Sequence, residues 1–577
     1  MHARLRGTAT LWFAALLCAG VPSLIAQNPP AAAVAKPVTL TTQQLDALVG
    51  QYRLEGEQSV VYSFSSDGKT LSLAGPRIMP TPLTAVSPMR FAAPDGGPEF
   101  TFTLTPQGHA ESVMRKGSDA PARLFDPHPA HYTFRPYTRQ EAMIPMRDGI
   151  KLHAVILRPT DDPANGNDPL PFLMERTPYG VDDVTPAAVT YRYTELAQSG
   201  YIFVDEDIRG RYKSEGTFVM MRPLLDQHST DQHGAERHST DQHSTGQDGA
   251  PESQVSGSKA TDESTDSYDT VAWLLKNIPN NNGRVGAAGI SYPGGMAQDA
   301  GIGAHPAVRA ISPQAPMIDV WKGDDFFHNG AFRETYGYDY VLGMESGKTT
   351  TFQKLDQDAY TYFLNAGSYA AAAKQGKIAQ LPTAQAFFAH PAYDSYWQAR
   401  GVESHLTSLS VPSLEVGGYW DQEDMWGPQA AYAALRKQDP SSRDLFLVLG
   451  PWRHGGWAGS TERLGAVDFG EPTSDDYRTR IEAPFFEHYL KDKGTFDAGG
   501  AMTFQTGSDQ WKHYASWPPS DAHNGNLYLG ADGALSFQQK EAPDATGFAT
   551  YVSDPANPVP YRARPIQATY APGSKWG

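Results

Sequence analysis

The chain has 577 residues and a formal net charge of −17. At roughly 100–200 residues per domain, that length accommodates two to four domains. The acidic balance argues against a nucleic-acid binder, whose phosphate contacts need a basic face. It is compatible with plain solubility or with attraction of a cationic substrate.

Arg4 and Arg6 open the chain, an apolar run covers 11–21, and small residues end near Ala26. This predicts a signal peptide over 1–26 and export to the periplasm or medium, with an uncleaved anchor as the alternative. The run is short for a bilayer span, and no later segment is longer and more apolar, so no membrane contact is expected beyond the signal. The only cysteine, Cys18, falls inside that segment, so the mature chain forms no disulfide. That suits an exported bacterial protein.

A Pro/Ala-rich linker follows over 27–40. From 41 to 130 short runs alternate apolar and polar residues, as in Glu99-Phe100-Thr101-Phe102-Thr103-Leu104, with Gly, Pro and Asp between them. That pattern predicts a small antiparallel β domain. It carries no catalytic constellation.

From 137 to 500 strand-like runs alternate with helical ones, which predicts a mostly parallel sheet covered by helices. Strands are expected over 171–176, 201–206, 284–290, 308–312, 411–416 and 445–449. Helices are expected over 265–277, capped by Asp262 or Ser264, and over 483–491. Residues 318–405 are expected to form a helical cap. Residues 226–262 interrupt the order. His228, His233, His238 and His243 recur every fifth residue among near-copies of Asp-Gln-His-Ser-Thr. A surface loop without function and a metal-binding tract both fit that composition.

The stretch Gly289-Ile290-Ser291-Tyr292-Pro293-Gly294-Gly295 carries the most chemistry. An apolar strand runs into a serine among small residues and a helical pattern follows. Such a turn strains the serine and projects it above the sheet, with the next amide at a helix N-terminus facing a developing oxyanion. A serine nucleophile needs a base, and the base needs an orienting acid. Asp421 follows one predicted strand and His454 the next, in the order that strand-loop architecture requires. His305 and His328 are rivals, but they precede the acid.

These residues resemble a known family. The elbow looks like that of the X-prolyl dipeptidyl peptidase and cocaine-esterase (CocE/NonD-like) group of α/β-hydrolases. Within that group, Trp420-Asp421-Gln422-Glu423-Asp424-Met425-Trp426-Gly427, the segment Gly323 to Arg333 and the segment Arg209 to Gly216 resemble the α-amino-acid ester hydrolases. The likeness runs from about Ala142 onward. It implies an α/β-hydrolase fold, a triad of Ser291, Asp421 and His454, and an oxyanion hole of the Tyr292 amide and the Tyr179 hydroxyl. It also implies that Asp325, Glu423 and Asp424 bind the substrate's α-ammonium group, although the bare sequence reads Glu423 and Asp424 equally well as solvated charges. No cofactor and no metal are implied. The expected partner is a small-molecule ester or amide with a free α-amino group, β-lactam antibiotics included. X-prolyl dipeptidyl peptidase, cocaine-esterase-like and glutaryl-acylase-like activities are the alternatives, and relatives of this kind tend to be homo-oligomers.

Two departures from the family stand out. The family lacks the amino-terminal β domain, and it ends in a large β jelly roll. Residues 501–577 are expected to be only the opening of that jelly roll, a truncation that leaves open strand edges. An inactive remnant or a binding protein that keeps the pocket is therefore the reading from another functional class.

Overall fold

The computed structural model describes residues 38–54, 60–94, 97–118, 120–160, 169–225, 260–323, 325–351, 357–408, 410–459, 461–530, 533–539, 550–554, 556–557 and 564–567. The expected signal peptide, most of the linker and the His-rich repeats lie outside these residues.

A short helix, α1 (Thr42–Asp46), leads into eight antiparallel strands: β1 (Gly50–Leu54), β2 (Val60–Ser66), β3 (Leu71–Gly75), β4 (Ile78–Ser87), β5 (Arg90–Ala92), β6 (Glu99–Leu104), β7 (Ala110–Arg115) and β8 (Ala122–Asp126). They close into a barrel when β1 pairs with β8, Tyr52 opposite Leu124. The apolar members of the alternation point inward. Tyr52, Phe64, Phe91, Phe100 and Phe102 fill the interior with edge-to-face contacts, a geometry aromatic quadrupoles favour. Arg77, at the β3–β4 turn, reaches out of the barrel to Thr194 and to the Tyr191 carbonyl of the neighbouring body.

That body is a ten-stranded mixed sheet. Its strands are β9 (Tyr137–Pro145), β10 (Lys151–Pro159), β11 (Leu170–Thr177), β12 (Ile202–Asp207), β13 (Asn281–Ile290), β14 (Val308–Gln314), β17 (Ser413–Gly418), β18 (Leu445–Gly450), β21 (Ala501–Gln505) and β22 (Gln510–Tyr514). The short ribbons β15 (Phe327–His328) with β16 (Ala331–Phe332) and β19 (Arg463–Leu464) with β20 (Val467–Asp468) lie outside it. Across the sheet the order is β22-β21-β18-β17-β14-β13-β11-β12-β10-β9. The strands from β12 through β11 to β21 run parallel, and β9, β10 and β22 add antiparallel edges. Strands β12, β17 and β18 are buried along their whole length, as parallel strands covered on both faces must be.

The helices α2 (Pro186–Arg192), α3 (Thr194–Ser199), α4 (Glu263–Asn277), α5 (Tyr292–Ala300), α11 (Gly427–Gln438), α12 (Thr473–Tyr477) and α13 (Ala483–Lys491) cover the sheet. Asp262 caps α4, its carboxylate accepting the Thr265 N–H. The stretch after β14 carries α6 (Glu334–Glu345), α7 (Ala359–Ala366), α8 (Tyr369–Gln375), α9 (Pro382–Ala389) and α10 (Ser395–Gln398). Helices α6, α9 and α10 build an aromatic core with Trp321, Phe326, Phe387 and Trp397, and it includes Tyr292 and Met296 from the start of α5.

The structure corrects the expectation for residues 501 onward. Ala501-Met502-Thr503-Phe504-Gln505 is strand β21 of the central sheet, parallel to β18 with Val448 opposite Met502, and β22 pairs onto it. A short apolar run of this kind fits a jelly-roll strand and a last sheet strand equally well. What decides is the preceding α13, which brings the chain back across the sheet for a parallel strand. Beyond Tyr514 the described residues hold one small ladder, β23 (Tyr528–Leu529) with β24 (Leu535–Ser536).

Candidate active site

Strand β13 delivers Ser291 to the carboxyl edge of the sheet. Its backbone sits at φ 70°, ψ −128°, a region side-chain-bearing residues rarely adopt. Two backbone bonds hold it there: the Ser291 N–H donates to the Gln314 carbonyl at 2.9 Å, and its own carbonyl accepts the Gly295 N–H at 2.9 Å. The turn is tight enough to dictate its neighbours. A Cβ on Gly289 would lie 2.5 Å from the Pro293 carbonyl oxygen, and one on Gly294 would lie 2.3 Å from that of Gln314. Helix α5 begins at Tyr292, so that amide has no intrahelical acceptor. The Tyr292 ring is buried and its hydroxyl accepts the Met221 N–H.

Strand β17 ends in the loop that carries Asp421, and β18 ends in the loop that carries His454. The His454 Nδ1–H donates to Asp421 Oδ2 at 2.8 Å. The other oxygen, Oδ1, accepts the backbone N–H groups of Glu423 (2.9 Å) and Asp424 (3.1 Å). One carboxylate thus orients the imidazole and folds the loop that presents the next two acids. Burial opposes charge on Asp421, but His454 and these N–H donors hold its carboxyl below the usual range.

Glu423 and Asp424 are almost wholly buried beside the serine. The Ser291 O–H donates to Asp424 Oδ2 at 3.4 Å, and His454 Nε2 pairs with Glu423 Oε2 at 3.1 Å. Asp325 joins them from the segment after β14. It is buried, at φ 38°, its carbonyl held by Arg333. Burial and then the charge of Glu423 push its carboxyl up to about 7, and its Oδ2 has no hydrogen-bond partner among the described residues. Burial alone would lower the pKa of His454, but Asp421, Glu423 and Asp325 overcome it and hold the imidazole at about 10. Ligand atoms of Glu423, Asp424 and His454 lie within 4.8 Å of one another. A pocket with this many carboxylates calls for a cation, since unpaired buried charge is costly.

Tyr179, two residues beyond β11, is half-buried in the same region. Its hydroxyl bonds that of Tyr340 on α6 at 2.8 Å. A cavity of about 170 Å³ opens beside the elbow, lined by Tyr179, Ile290, Pro293, Gln314, Trp457 and Glu482. Away from the site, Glu141, His153 and Asp182 also cluster. There the Lys213 ammonium already bonds Glu141 and Asp182.

All eight residues singled out in the sequence therefore belong to one neighbourhood. The rival histidines do not. His305 Nδ1 accepts its own turn's Ala307 N–H and the ring packs on Tyr268, and His328 is exposed on β15. Sequence reasoning missed Tyr340 and Gln314. Gln314 holds the Ser291 amide and bridges Trp457 to Glu482. Neither residue sits in a recognisable motif, and each reaches the site only through tertiary folding.

Comparison with known proteins agrees with this geometry. The family model for X-Pro dipeptidyl-peptidase (S15 family) matches residues 148–237 and 242–456. Cocaine esterase of Rhodococcus sp. (strain MB1 Bresler) is 25% identical over 442 residues, 72% of this chain and 68% of that protein. Among solved structures, an aminopeptidase from the marine sediment archaeon Thaumarchaeota archaeon is 36% identical with a TM-score of 0.67. It matches over 78% of this chain and 70% of that one. An α-amino acid ester hydrolase is 35% identical with a TM-score of 0.65, over 77% and 70%. A strained serine beside a histidine–aspartate pair, on a chain matched over more than half its length, has one family reading: this protein is a serine hydrolase of the X-Pro dipeptidyl-peptidase (S15) family.

Proposed function

We propose that this chain is an α/β-hydrolase with a helical cap over 318–405 that cleaves esters or amides of α-amino acids through an acyl-enzyme on Ser291. The observation that carries the reading is the buried trio Asp325, Glu423 and Asp424, of which Asp424 bonds the nucleophile, Glu423 pairs with the base, and Asp325 lies against both acids. A substrate ammonium supplies the charge this pocket requires, and an ester without an amine does not. In the proposed mechanism His454 takes the Ser291 proton as Oγ attacks the acyl carbonyl. Asp421 keeps Nδ1 protonated and stabilises the imidazolium. The Tyr292 N–H and the Tyr179 O–H receive the oxyanion. His454 then protonates the leaving group, and water or an amine such as a β-lactam nucleus releases the acyl group. Export to the periplasm or medium belongs to the same proposal and rests on residues 1–26 alone.

The test is a paired assay of phenylglycine methyl ester and a simple butyrate ester. The proposal expects kcat/KM to favour the amino ester by at least about 100-fold, the worth of a buried charge pair. The variants Asp325→Asn and Asp424→Asn should raise KM for the amino ester about tenfold or more and leave the butyrate KM nearly unchanged. Equal effects on both esters would remove the ammonium site. The likeness to an archaeal aminopeptidase favours a second reading in which the same amine pocket receives a peptide N-terminus. Release of an amine from phenylalanine p-nitroanilide, absent after N-acetylation, would support it.

Tyr340 carries a separate expectation. Its hydroxyl sits 2.8 Å from that of Tyr179, so it orients the proposed oxyanion donor without touching substrate. Tyr340→Phe keeps the ring and its contact with Phe326. It should lower kcat roughly tenfold with KM unchanged, less than direct loss of an oxyanion donor. An unchanged kcat would assign Tyr340 to packing alone.

A further inference from the structure

Two hydrogen bonds in the site differ from those acyl transfer needs. The Ser291 O–H faces Asp424 at 3.4 Å, and His454 Nε2 faces Glu423 at 3.1 Å. Nε2 is the atom that must receive the Ser291 proton, because Nδ1 is engaged by Asp421. An imidazole with a carboxylate at each nitrogen is held as the doubly protonated cation, which donates protons and accepts none. Nucleophile and base are therefore in place, but each is bonded to an acid that takes no part in the triad.

We infer that Glu423 and Asp424 determine specificity through catalysis as well as binding: they engage His454 Nε2 and Ser291 Oγ, and a substrate α-ammonium, by taking both carboxylates, releases these two groups to pair with each other. The inference rests on the ammonium-site reading above and adds to it. An amine-free ester could enter and still find the base occupied.

Charge and proton balance support the step. The acids around His454 are Asp421, Glu423 and Asp424 from its neighbouring loop and Asp325 from the cap, whose charge Arg333 offsets; Ser291 comes from the elbow, and the neutral hydroxyl of Tyr179, bonded to that of Tyr340, lies beside the same acids. The imidazolium is the cation these acids share. A bound ammonium becomes a second cation at the same carboxylates, so His454 loses its Nε2 proton to solvent. The freed Nε2 then accepts the Ser291 proton as the Oγ–carbon bond forms and the carbonyl π pair moves to oxygen. The same proton passes to the leaving group as its bond to carbon breaks. With the imidazole held at about 10 by these acids, the neutral base is the minority form at neutral pH. Release of the base therefore raises kcat at neutral pH.

The experiment measures kcat against pH, from about 5.5 to about 9.5, for p-nitrophenyl butyrate and phenylglycine methyl ester, because kcat reports the pKa of the bound complex. For the butyrate, kcat should climb about tenfold per pH unit through neutrality, without levelling below about pH 9. For the amino ester it should already be level near neutral pH. Glu423→Gln should lower the butyrate midpoint by about two pH units and raise butyrate kcat at neutral pH about tenfold or more, while the amino ester loses activity. A gain of function on the neutral ester is not something a folding defect produces. The wild-type comparison needs no variant. Coincident midpoints for the two esters, or a butyrate midpoint unmoved by Glu423→Gln, would overturn the inference. Failure of the ammonium reading looks different: the paired assay would show no preference for the amine at any pH.

Discussion

Replacing Ser291 with alanine is expected to lower kcat by about 10⁵–10⁶-fold, as loss of a triad nucleophile does elsewhere, while the melting temperature stays unchanged. The stability half of this result follows from the backbone. Ser291 sits at φ 70° whichever side chain it bears, and alanine is as strained there as serine. Ser291→Gly should therefore be equally inactive but more stable by about 1 kcal/mol, because relief of 1–3 kcal/mol of strain outweighs glycine's extra chain entropy. A fluorophosphonate probe should label wild type and neither variant. Labelling that persists in Ser291→Ala would place the nucleophile elsewhere. Destabilisation by Ser291→Gly would mean that the serine side chain contributes more through its bond to Asp424 than the turn costs.

How much of this was legible in the sequence follows from range. The elbow is local: strand, strained serine and helix lie within about twenty residues, and the small neighbours are required by backbone contacts within the same turn. The places of Asp421 and His454 are nearly as local, each the first loop after a continuous apolar strand. Asp325, Glu423 and Asp424 are different. In the sequence they are ordinary acids, and only the family resemblance singled them out. Their environment depends on residues contributed from the segment after β14 and from two strand ends, which no periodicity records. Tyr340 was invisible for the same reason, since it meets Tyr179 across 161 positions.

The two β regions show the same limit. Alternation in 41–130 identifies one buried face per strand, and that face is what the aromatic interior uses. Closure is another matter: Tyr52 meets Leu124 only after every intervening hairpin has set its register. At the other end, 501–505 carried a strand signal without a partner. Pairing with β18 rather than with a later strand depends on the crossover through α13, so the sheet extends to Tyr514 instead of stopping near residue 500.

The elbow departs from the usual Gly-x-Ser-x-Gly spacing, with Pro293 where the last glycine is expected and Gly294 one place later. The contacts explain the shift and yield a strong test. The first turn of α5 packs against the end of β14, and the position that approaches it most closely is 294. A Cβ there would meet the Gln314 carbonyl oxygen at 2.3 Å and the Gly289 carbonyl oxygen at 3.1 Å. Both are backbone atoms of central strands, so no side chain can yield. The Gln314 carbonyl is also the acceptor of the Ser291 N–H, so any retreat of β14 loosens the nucleophile. Gly294→Ala should cost about 3 kcal/mol or more and lower kcat about 100-fold in the fraction that folds, the scale expected when a reacting group is displaced by about 1 Å. Gly295→Ala is the control one residue on. Its nearest neighbour would be the Met317 carbonyl at 3.5 Å, an ordinary contact, and within a helix alanine is favoured over glycine by about 1 kcal/mol. It should leave activity intact and raise stability slightly. If both variants behave alike, the close approach at 294 is not what holds the serine, and the proline, with its fixed φ at the first turn, would have to carry the geometry instead.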